Sequence, residues 1–276
     1  MSQINKLERR PKLIASDLDG TIVAHYGSIT PRTIKAFSKA HSMGIEIYFV
    51  TGRPPRWMPE IKDAFGFGNA ICGNGAMLYD LLGDKVIEEW LIPTDAQLET
   101  VQRLRKAIPP ISFAIESHNY FHREKKYVPR WDVGLDNVGV DEIESVITSP
   151  ALKILARCSD QEFSSDEMMA IAKRELEGVV TVTHSNPTDS LLEISALGVS
   201  KGATLAKMAA RHGFDADDCV AFGDNPNDFS MLEWCSRSYA MSDGHPEGPQ
   251  HAKSIAGACE EDGVAIIIEQ LLELPA

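Results

Sequence analysis

The chain has 276 residues, of which 43% are hydrophobic and 24% charged, as is typical of a globular protein with one or two domains. Its formal net charge of −13 argues against nucleic acid and anionic membranes as partners, because an acidic surface repels both. The cysteines are scattered and form no CxxC pair, which argues against a disulfide framework and against a zinc site.

The first part of the chain, from Lys12 to Asn74, alternates between apolar strands and helices. The first helix is predicted to have Thr30 as its N-cap, Pro31 in its first turn and Gly44 just beyond its end. Because the strands are almost continuously apolar, the pattern favours a parallel sheet that helices cover on both faces. The predicted strands are residues 12–16, 45–50 and 70–72.

The regular alternation stops after Gly75. Residues 76–90 are predicted to form a hairpin around Leu82-Gly83-Asp84, and Thr94 is predicted to begin a helix with a capping box to Gln97. We interpret residues 85–190 as an inserted α+β domain, so that the core domain comprises residues 1–84 and 191–276. The further elements predicted in this stretch are strands at 111–116, 151–157 and 179–183 and a helix at 164–176, and a strand at 191–194 directly follows it.

The alternation of helices and strands resumes after the insertion. The fold class that we predict is therefore α/β: a Rossmann-like parallel-sheet core domain in two sequence segments, with an inserted α+β domain. A protein built in this way offers a cleft in which a ligand can bind. The elements predicted for the last part of the chain are helices at 201–212, 228–234 and 264–274 and a strand at 219–222.

Two carboxylates end the first strand, in the sequence Asp17-Leu18-Asp19-Gly20-Thr21. Side chains alternate along a strand, so positions two apart face the same way, and both carboxylates are expected to point at one spot. Like charges held this close are costly unless a cation or a shared proton compensates, and Mg²⁺, which prefers oxygen ligands, is the natural cation. Asp, Gly and Thr are also ordinary turn formers, so the segment alone does not decide between a functional site and a simple turn.

Three further polar segments occupy similar places. Thr51-Gly52-Arg53 follows the second strand, Lys201 begins a helix, and Gly223-Asp224-Asn225-Pro226-Asn227-Asp228 follows the strand at 219–222. Ligands of parallel α/β sheets bind beyond the carboxyl ends of the strands, where all four segments are expected. Each segment alone is an ordinary loop or a solvated helix start, but their occurrence together argues against coincidence.

These residue types suit phosphoryl transfer. A carboxylate can attack phosphorus and form an acyl phosphate, while a second carboxylic acid protonates the leaving oxygen and then activates water. A threonine hydroxyl, a backbone N–H and a lysine ammonium can hold the other phosphate oxygens. Acidic residues can hold Mg²⁺, which neutralises charge on the phosphate and on the nucleophile.

The chain resembles the haloacid dehalogenase (HAD) superfamily of phosphatases. Within it, the chain resembles the Cof-like branch, which has a large α/β cap of type IIB between the second and third motifs. The resemblance covers essentially the whole chain and implies a HAD-like core, a cap that closes over the site, and Mg²⁺ as cofactor. The motifs that carry it are Asp17-Leu18-Asp19-Gly20-Thr21, Thr51-Gly52-Arg53, Asn74-Gly75-Ala76, Lys201-Gly202, and Gly223-Asp224 followed by Asn227-Asp228.

The resemblance also implies the catalytic residues. Asp17 would be the nucleophile that forms an aspartyl phosphate. Asp19 would be the general acid and base, and its backbone carbonyl would bind Mg²⁺. Among the other acids, Asp224 would be a direct ligand, and Asp228 would support the metal or orient Lys201. The metal-binding residues implied are thus Asp17, Asp19, Asp224 and Asp228.

The phosphate group would be bound by residues from three motifs. Gly52 would contribute its backbone N–H, and the others their side chains. No departure from the family's pattern occurs at a catalytic position. The phosphate-binding residues implied are Thr51, Gly52, Lys201 and Asn227.

The inserted domain contains no motif that identifies a substrate. Its most basic stretches, His122–Lys126 and Arg130-Trp131, suit an anionic or sugar-like group but also a solvated surface, and the same holds for His184 and Asn186. We expect a phosphatase of small phosphorylated metabolites, such as sugar phosphates. The alternatives are a phosphotransferase or phosphomutase, and a non-catalytic protein of this fold that binds a ligand.

Targeting and membrane segments are not evident. The chain has no apolar stretch before Lys12, and the apolar run at 264–268 is too short to span a bilayer. We therefore expect a cytoplasmic protein that is a monomer or a homodimer. Its expected partner is a small phosphorylated metabolite, with neither nucleic acid nor a membrane.

Overall fold

The computed structural model describes residues 8–24, 27–118, 120–129, 137–158 and 162–276, which divide into two compact units. The first unit holds the described residues of Met1–Arg53, Trp57–Glu88 and Lys201–Ala276. The second holds those of Pro54–Arg56 and Glu89–Ser200. Strands and helices interleave along the chain, and the predicted α/β fold class is confirmed.

The regular elements of the described residues are numbered in chain order. The strands are β1 Leu13–Ser16, β2 Glu46–Val50, β3 Asn69–Cys72, β4 Met77–Asp80, β5 Lys85–Glu89, β6 Ser112–Glu116, β7 Phe121–Arg123, β8 Lys153–Arg157, β9 Val180–Thr183, β10 Leu191–Ala196, β11 Cys219–Gly223, β12 Arg237–Met241 and β13 Ser254–Ala256. The α-helices are α1 Pro31–Ser42, α2 Pro59–Phe65, α3 Thr94–Ala107, α4 Ser165–Glu175, α5 Lys201–Arg211, α6 Phe229–Trp234, α7 Gly248–His251 and α8 Gly263–Leu272. Short 3₁₀ turns lie at Pro55–Trp57, Gly73–Gly75, Ile143–Val146, Ala216–Asp218 and Cys259–Glu261.

The sheet of the first unit has the strand order β13-β12-β11-β1-β2-β3-β4-β5. From β13 to β3 all neighbours are parallel, and β4 is antiparallel to β3. Every residue of β1 and of β11 is buried. Because side chains alternate along a strand, this burial means that both faces of the central sheet are covered.

The helix after β1 follows its predicted signals. The hydroxyl of Thr30 accepts a hydrogen bond from the backbone N–H of Thr33, and Pro31 occupies the first turn, where a missing N–H costs no hydrogen bond. Helix α1 ends before Gly44, whose φ of 81° is the left-handed conformation that glycine adopts without strain. Helix α1 contacts α8 and α2, whereas α5 contacts α6.

The second unit contains an antiparallel sheet with the order β7-β6-β8-β10-β9. One face packs against α3 and α4 in a single apolar cluster that includes Phe113, Ile154 and Leu192. The other face carries buried charged side chains. Arg56 forms a bidentate ion pair with Glu116.

Three sequence predictions need correction. Strand β5, assigned to the insertion by the boundary at 84/85, belongs to the sheet of the first unit, and β10, assigned to the core by the boundary at 190/191, pairs with β8 and β9 in the second. In both cases the boundary separates a strand from a neighbour in its sheet, which is β4, its partner in the predicted hairpin, for β5 and β9 for β10. Thirdly, Thr94 and Gln97, both within the described residues, do not form the predicted capping box. The side-chain amide of Gln97 instead donates to the carbonyls of Ile92 and Ser149.

Three short strands, β7, β12 and β13, have no counterpart among the predictions. Strand β13 has only three residues and two of them are exposed, so it carries no apolar run to find. Within the described residues, no helix is both long and apolar enough to cross a membrane.

Candidate active site

The three central parallel strands end at one edge of the sheet, and a predicted site residue follows each of them. Asp17 follows β1, Thr51 follows β2, and Asp224 follows β11. Strand β1 pairs with β2 on one side and with β11 on the other. The alternation of strands and helices has therefore brought three distant segments of the chain to the same end of adjacent strands.

Four charged side chains form a buried cluster at this edge. The ammonium of Lys201 donates to Asp17 Oδ1 and to Asp228 Oδ1, at 2.6 Å in both cases. Asp17, Asp224 and Asp228 each offer a carboxylate oxygen within 4.8 Å of the other two. Lys201 and Asp228 are fully buried, and Asp17 and Asp224 are 5% exposed. Four of the predicted site residues thus lie together.

Close backbone packing positions the two fully buried members of the cluster. Lys201 begins α5, and the next residue, Gly202, lies so close to α6 that a Cβ there would be 2.2 Å from the carbonyl oxygen of Ser230. Similarly, a Cβ on Gly223 would be 2.4 Å from that of Asp228. Both glycines are needed because no larger residue allows these approaches.

Asp228 also organises the loop that follows β11. Its Oδ2 accepts hydrogen bonds from the backbone N–H groups of Asp224 and Asn225, both at 3.0 Å, while its Oδ1 accepts the bond from Lys201. Three of the roughly four lone-pair sites of the carboxylate are therefore in use. This arrangement favours the predicted role of orienting Lys201 over direct coordination of a metal.

Burial and mutual repulsion shift the pKa values of the cluster. Burial, followed by the charge of Asp228, raises the pKa of Asp17 to about 7 against the opposing effect of Lys201. Burial, followed by the charges of Asp17 and Asp228, also raises the pKa of Asp224 well above its ordinary value. Burial works against the charge of Lys201, but the two neighbouring aspartates outweigh it and raise its pKa.

The cluster has the composition of a divalent cation site. When all are ionised, the three carboxylates of Asp17, Asp224 and Asp228 exceed the one ammonium of Lys201 by two negative charges, and burial together with this excess raises the pKa values of Asp17 and Asp224. Asp224 Oδ1 is buried and has no hydrogen-bond partner among the described residues. An unpaired buried carboxylate oxygen is costly, and a hard cation with oxygen ligands would satisfy it. The residues present therefore fit a divalent metal.

The side chain of Asp19 is not part of this cluster, contrary to the prediction that it points with Asp17 at one spot. Strand β1 ends at Ser16, so the alternation of side chains along a strand does not extend to Asp19. The Asp19 carboxylate accepts hydrogen bonds from Arg53 Nε at 2.8 Å and from Nη2. No role is predicted for Arg53 from the sequence, although its place directly after Thr51-Gly52 was a signal.

The predicted phosphate-binding residues beside the cluster are held by local hydrogen bonds. The hydroxyl of Thr51, which is buried, accepts from the backbone N–H of Arg53 at 3.0 Å. The amide Nδ2 of Asn227 donates to Asn74 Oδ1 at 3.1 Å, which leaves the acceptor Oδ1 of Asn227 without a partner among the described residues. An acceptor does not suit a phosphate oxygen, so the role predicted for Asn227 would require its amide to turn.

The polar candidates of the inserted stretch have structural contacts within the second unit. Arg123 donates to the backbone carbonyls of three residues, and Lys125 pairs with Asp141 at the surface. His184 is buried with Nε2 2.8 Å from Asp166 Oδ1, and Asn186 Oδ1 accepts from Thr188. These contacts favour structural roles for the four side chains over a role in binding a substrate. Arg130-Trp131 lies outside the described residues.

The sequence of nearly the whole chain matches one family of known proteins. The sequence profile of the haloacid dehalogenase-like hydrolases matches residues 14–268, which include every motif described above. The chain belongs to this family. Its predicted membership of the HAD superfamily, in the Cof-like branch, is thereby confirmed.

Two curated relatives are phosphatases of different compounds. The 5-amino-6-(5-phospho-D-ribitylamino)uracil phosphatase YcsE of Bacillus subtilis is 28% identical over 92% of this chain and 93% of its own. The pyridoxal phosphate phosphatase YbhA of Escherichia coli is 26% identical over 93% of this chain and 97% of its own. With the family match, these relatives identify the chain as a phosphatase.

The fold is also that of a solved structure of the same superfamily. A sugar phosphatase of HAD subclass IIB superposes with a TM-score of 0.75, covering 94% of this chain and 98% of that protein at 19% sequence identity. The HAD-like core and the type IIB class of inserted domain, both expected from the sequence, agree with this likeness.

Proposed function

We propose that this phosphatase hydrolyses small phosphorylated metabolites, such as sugar phosphates, with Mg²⁺ as cofactor and through an aspartyl phosphate on Asp17. The observation that carries the proposal is the buried cluster of Asp17, Asp224 and Asp228 with Lys201. A purely structural role would not explain three buried carboxylates with one ammonium, because burying unbalanced charge costs stability.

The metal would be held by side-chain oxygens of Asp17 and Asp224 and by the backbone carbonyl of Asp19, supported by Asp228. Asp224 is the strongest side-chain candidate, because its Oδ1 has no hydrogen-bond partner among the described residues. When bound, the cation supplies positive charge that lowers the repulsion between the nucleophile and the phosphate.

The reaction proceeds in two half-reactions. In the first, an oxygen of Asp17 attacks phosphorus, the bond from phosphorus to the leaving oxygen breaks, and Asp19 gives that oxygen a proton. In the second, Asp19 takes a proton from water as the water attacks phosphorus, which frees the Asp17 carboxylate and inorganic phosphate. Lys201 already contacts Asp17 at 2.6 Å, so its ammonium lies beside the oxygens of a phosphate bound there.

Two more groups would bind the phosphate at the end of β2. Thr51 offers a hydroxyl that is buried at the edge of the sheet where the cluster lies, and Gly52 offers a backbone N–H. Hydrogen bonds from a group as buried as the Thr51 hydroxyl are stronger than in water, because little solvent competes for them.

The relatives support the proposed substrate class. They act on a phosphorylated ribityl compound and on pyridoxal phosphate, and a structural neighbour is a sugar phosphatase. In all three the phosphate is an ester of an alcohol, so we expect a polar alcohol as the leaving group. We propose that the enzyme acts in the cytoplasm, because five cysteines without disulfides fit a reducing compartment.

The test is phosphate release from a panel of phosphorylated sugars, ribityl compounds and pyridoxal phosphate. Wild type and Asp17→Asn are compared with Mg²⁺ and with EDTA, and Asp63→Asn, which removes an exposed carboxylate, is the control for charge. We expect release that needs Mg²⁺, is lost in Asp17→Asn and is retained in Asp63→Asn. Transfer of the phosphoryl group to an added acceptor sugar, in place of release as inorganic phosphate, would support a phosphotransferase instead. Activity retained in Asp17→Asn would exclude Asp17 as the nucleophile.

A further inference from the structure

We propose that Arg53 positions the carboxylate of Asp19 for proton transfer, a role that rests on the acid–base function proposed for Asp19. Arg53 Nε lies 2.8 Å from Asp19 Oδ2, and Nη2 lies 2.5 Å from Oδ1. One edge of the guanidinium therefore contacts both carboxylate oxygens. A bidentate pair of this kind fixes the direction of the carboxylate as well as its distance.

The backbone beneath Asp19 is fixed, but its side chain is not. The carbonyl of Leu18 accepts hydrogen bonds from the N–H groups of Thr21, Ile22 and Val23, which holds the chain in a tight turn. The side chain of Asp19 nevertheless remains 51% exposed. An exposed aspartate samples several rotamers, so the bond from Arg53 selects one of them.

Arg53 is itself held from several directions. Its side chain is only 13% exposed, and Nη1 donates to Glu60 Oε2 in the first turn of α2 at 3.0 Å. Its backbone N–H donates to the hydroxyl of Thr51, and its carbonyl accepts from Gly73. The guanidinium is therefore held in a fixed position, and its hydrogen bonds fix the carboxylate of Asp19, which would otherwise be mobile.

The ion pair is compatible with proton transfer by Asp19. A carboxylate has roughly four lone-pair sites, and Arg53 takes only one on each oxygen. The other sites remain for the proton that passes to the leaving oxygen and for the proton that later comes from water. Both proton transfers require an oxygen of Asp19 within hydrogen-bond reach of the reacting atom. The orientation of the Asp19 carboxylate therefore affects the rate of both.

The experiment compares two esters whose leaving groups need a proton to different degrees. The first is an alkyl phosphate, the best alcohol ester found in the panel, whose leaving oxygen must be protonated to leave as an alcohol. The second is p-nitrophenyl phosphate, whose leaving group, p-nitrophenolate, is a stable anion that needs no proton. The ratio kcat/KM reports the steps up to release of the leaving group, so it isolates the role of Asp19 as an acid.

We expect Arg53→Gln to lower kcat/KM for the alkyl ester by about 10- to 100-fold, within the usual contribution of an acid catalyst, and that for p-nitrophenyl phosphate by much less. Asp19→Asn should show the same preference more strongly. The double variant should lose little beyond Asp19→Asn alone, because two residues acting through one group are not additive. Arg53→Lys, which keeps the charge but loses the fork, should restore only part of the activity.

The matched control is Arg32→Gln, which removes a bidentate pair of the same geometry with Glu269 at the surface of the same unit. Thermal unfolding of each variant reports folding separately. An equal loss for both esters in Arg53→Gln and Arg53→Lys, or additive losses in the double variant, would overturn the positioning role. If Asp19→Asn itself shows no preference between the esters, the acid role of Asp19 fails, and the positioning role with it.

Discussion

Lys201 and Asp228 form an ion pair in which neither side chain is exposed to solvent, with Nζ 2.6 Å from Oδ1. The same ammonium lies 2.6 Å from Asp17 Oδ1, so a single cation is shared by two carboxylates. A buried charge of this kind stabilises the fold only while its partners remain, since a lone charge in the interior is strongly unfavourable. The site and the stability of the core are therefore linked through Lys201.

Replacing Lys201 should destabilise the protein as well as inactivate it. We expect Lys201→Met to lower the free energy of unfolding by about 3–5 kcal/mol, because it leaves buried carboxylates without their counter-charge. The measurement is urea unfolding in EDTA. Lys207→Met is the control on the same helix, where a half-exposed lysine pairs with Glu88, and it should cost less than about 1 kcal/mol. Equal effects of the two variants would contradict the linkage.

The sequence predicts the location of this cluster better than its internal contacts. Asp17, Thr51 and Asp224 directly follow apolar strands, and parallel pairing of those strands requires them to lie at one edge. The pairing of Asp19 with Arg53 could not be predicted, because it depends on how the chain turns after β1 ends. Strand alternation, on which the opposite expectation was based, no longer applies there.

Local chemistry decides some elements of the fold, and pairing between strands decides the place of others. Long apolar strands and helices with caps, such as α1 with Thr30, are fixed by local chemistry and were predicted with accurate bounds. Strand β5 stays in the sheet of β4, its partner in the predicted hairpin, whereas the sheet of β10 is decided by pairing with β8 and β9. The same reason explains Gln97, whose side chain finds distant carbonyls in place of the local capping box.

Asp224 should control the affinity for the metal. We expect Asp224→Asn to raise the Mg²⁺ concentration needed for half-maximal activity by at least about tenfold, because it removes one charge from a group of hard oxygen ligands. It should also reduce the increase in melting temperature that Mg²⁺ gives wild type, since a bound ligand stabilises the folded state. Asp63→Asn should change neither, and an unchanged Mg²⁺ titration in Asp224→Asn would remove Asp224 from the metal's ligands.

Gly223 should be intolerant of even a methyl group. A Cβ at this position would lie 2.4 Å from Cβ of Asp228 and 2.6 Å from its Cγ, so Gly223→Ala must displace the residue that holds Lys201 and the loop after β11. We expect a loss of about 1–3 kcal/mol in the free energy of unfolding, as for other overpacked sites, together with loss of phosphatase activity. The control is Gly257→Ala, where the new methyl group would meet its nearest neighbour at an ordinary 3.5 Å.

That pair of glycine variants distinguishes packing at the site from a general effect of the substitution. Both replace glycine by alanine at positions without a positive φ, so the change in the entropy of the unfolded chain is the same. Activity should fall only in Gly223→Ala. If Gly223→Ala keeps wild-type activity and stability, Asp228 has room to move, and its position beside Lys201 does not matter for the site.

The cysteines should be inert in the folded protein. All five are buried, and burial raises the pKa of Cys72, next to the site's edge of the sheet, to about 12. Since the thiolate is the reactive form, a thiol whose pKa is raised by burial is almost entirely in its unreactive form at pH 8. We expect a disulfide reagent such as DTNB to label native protein only as fast as it unfolds, and to label five thiols at once in guanidinium. Rapid reaction of one thiol in native protein, lost in Cys72→Ala, would instead identify Cys72 as a redox-sensitive residue beside the active site.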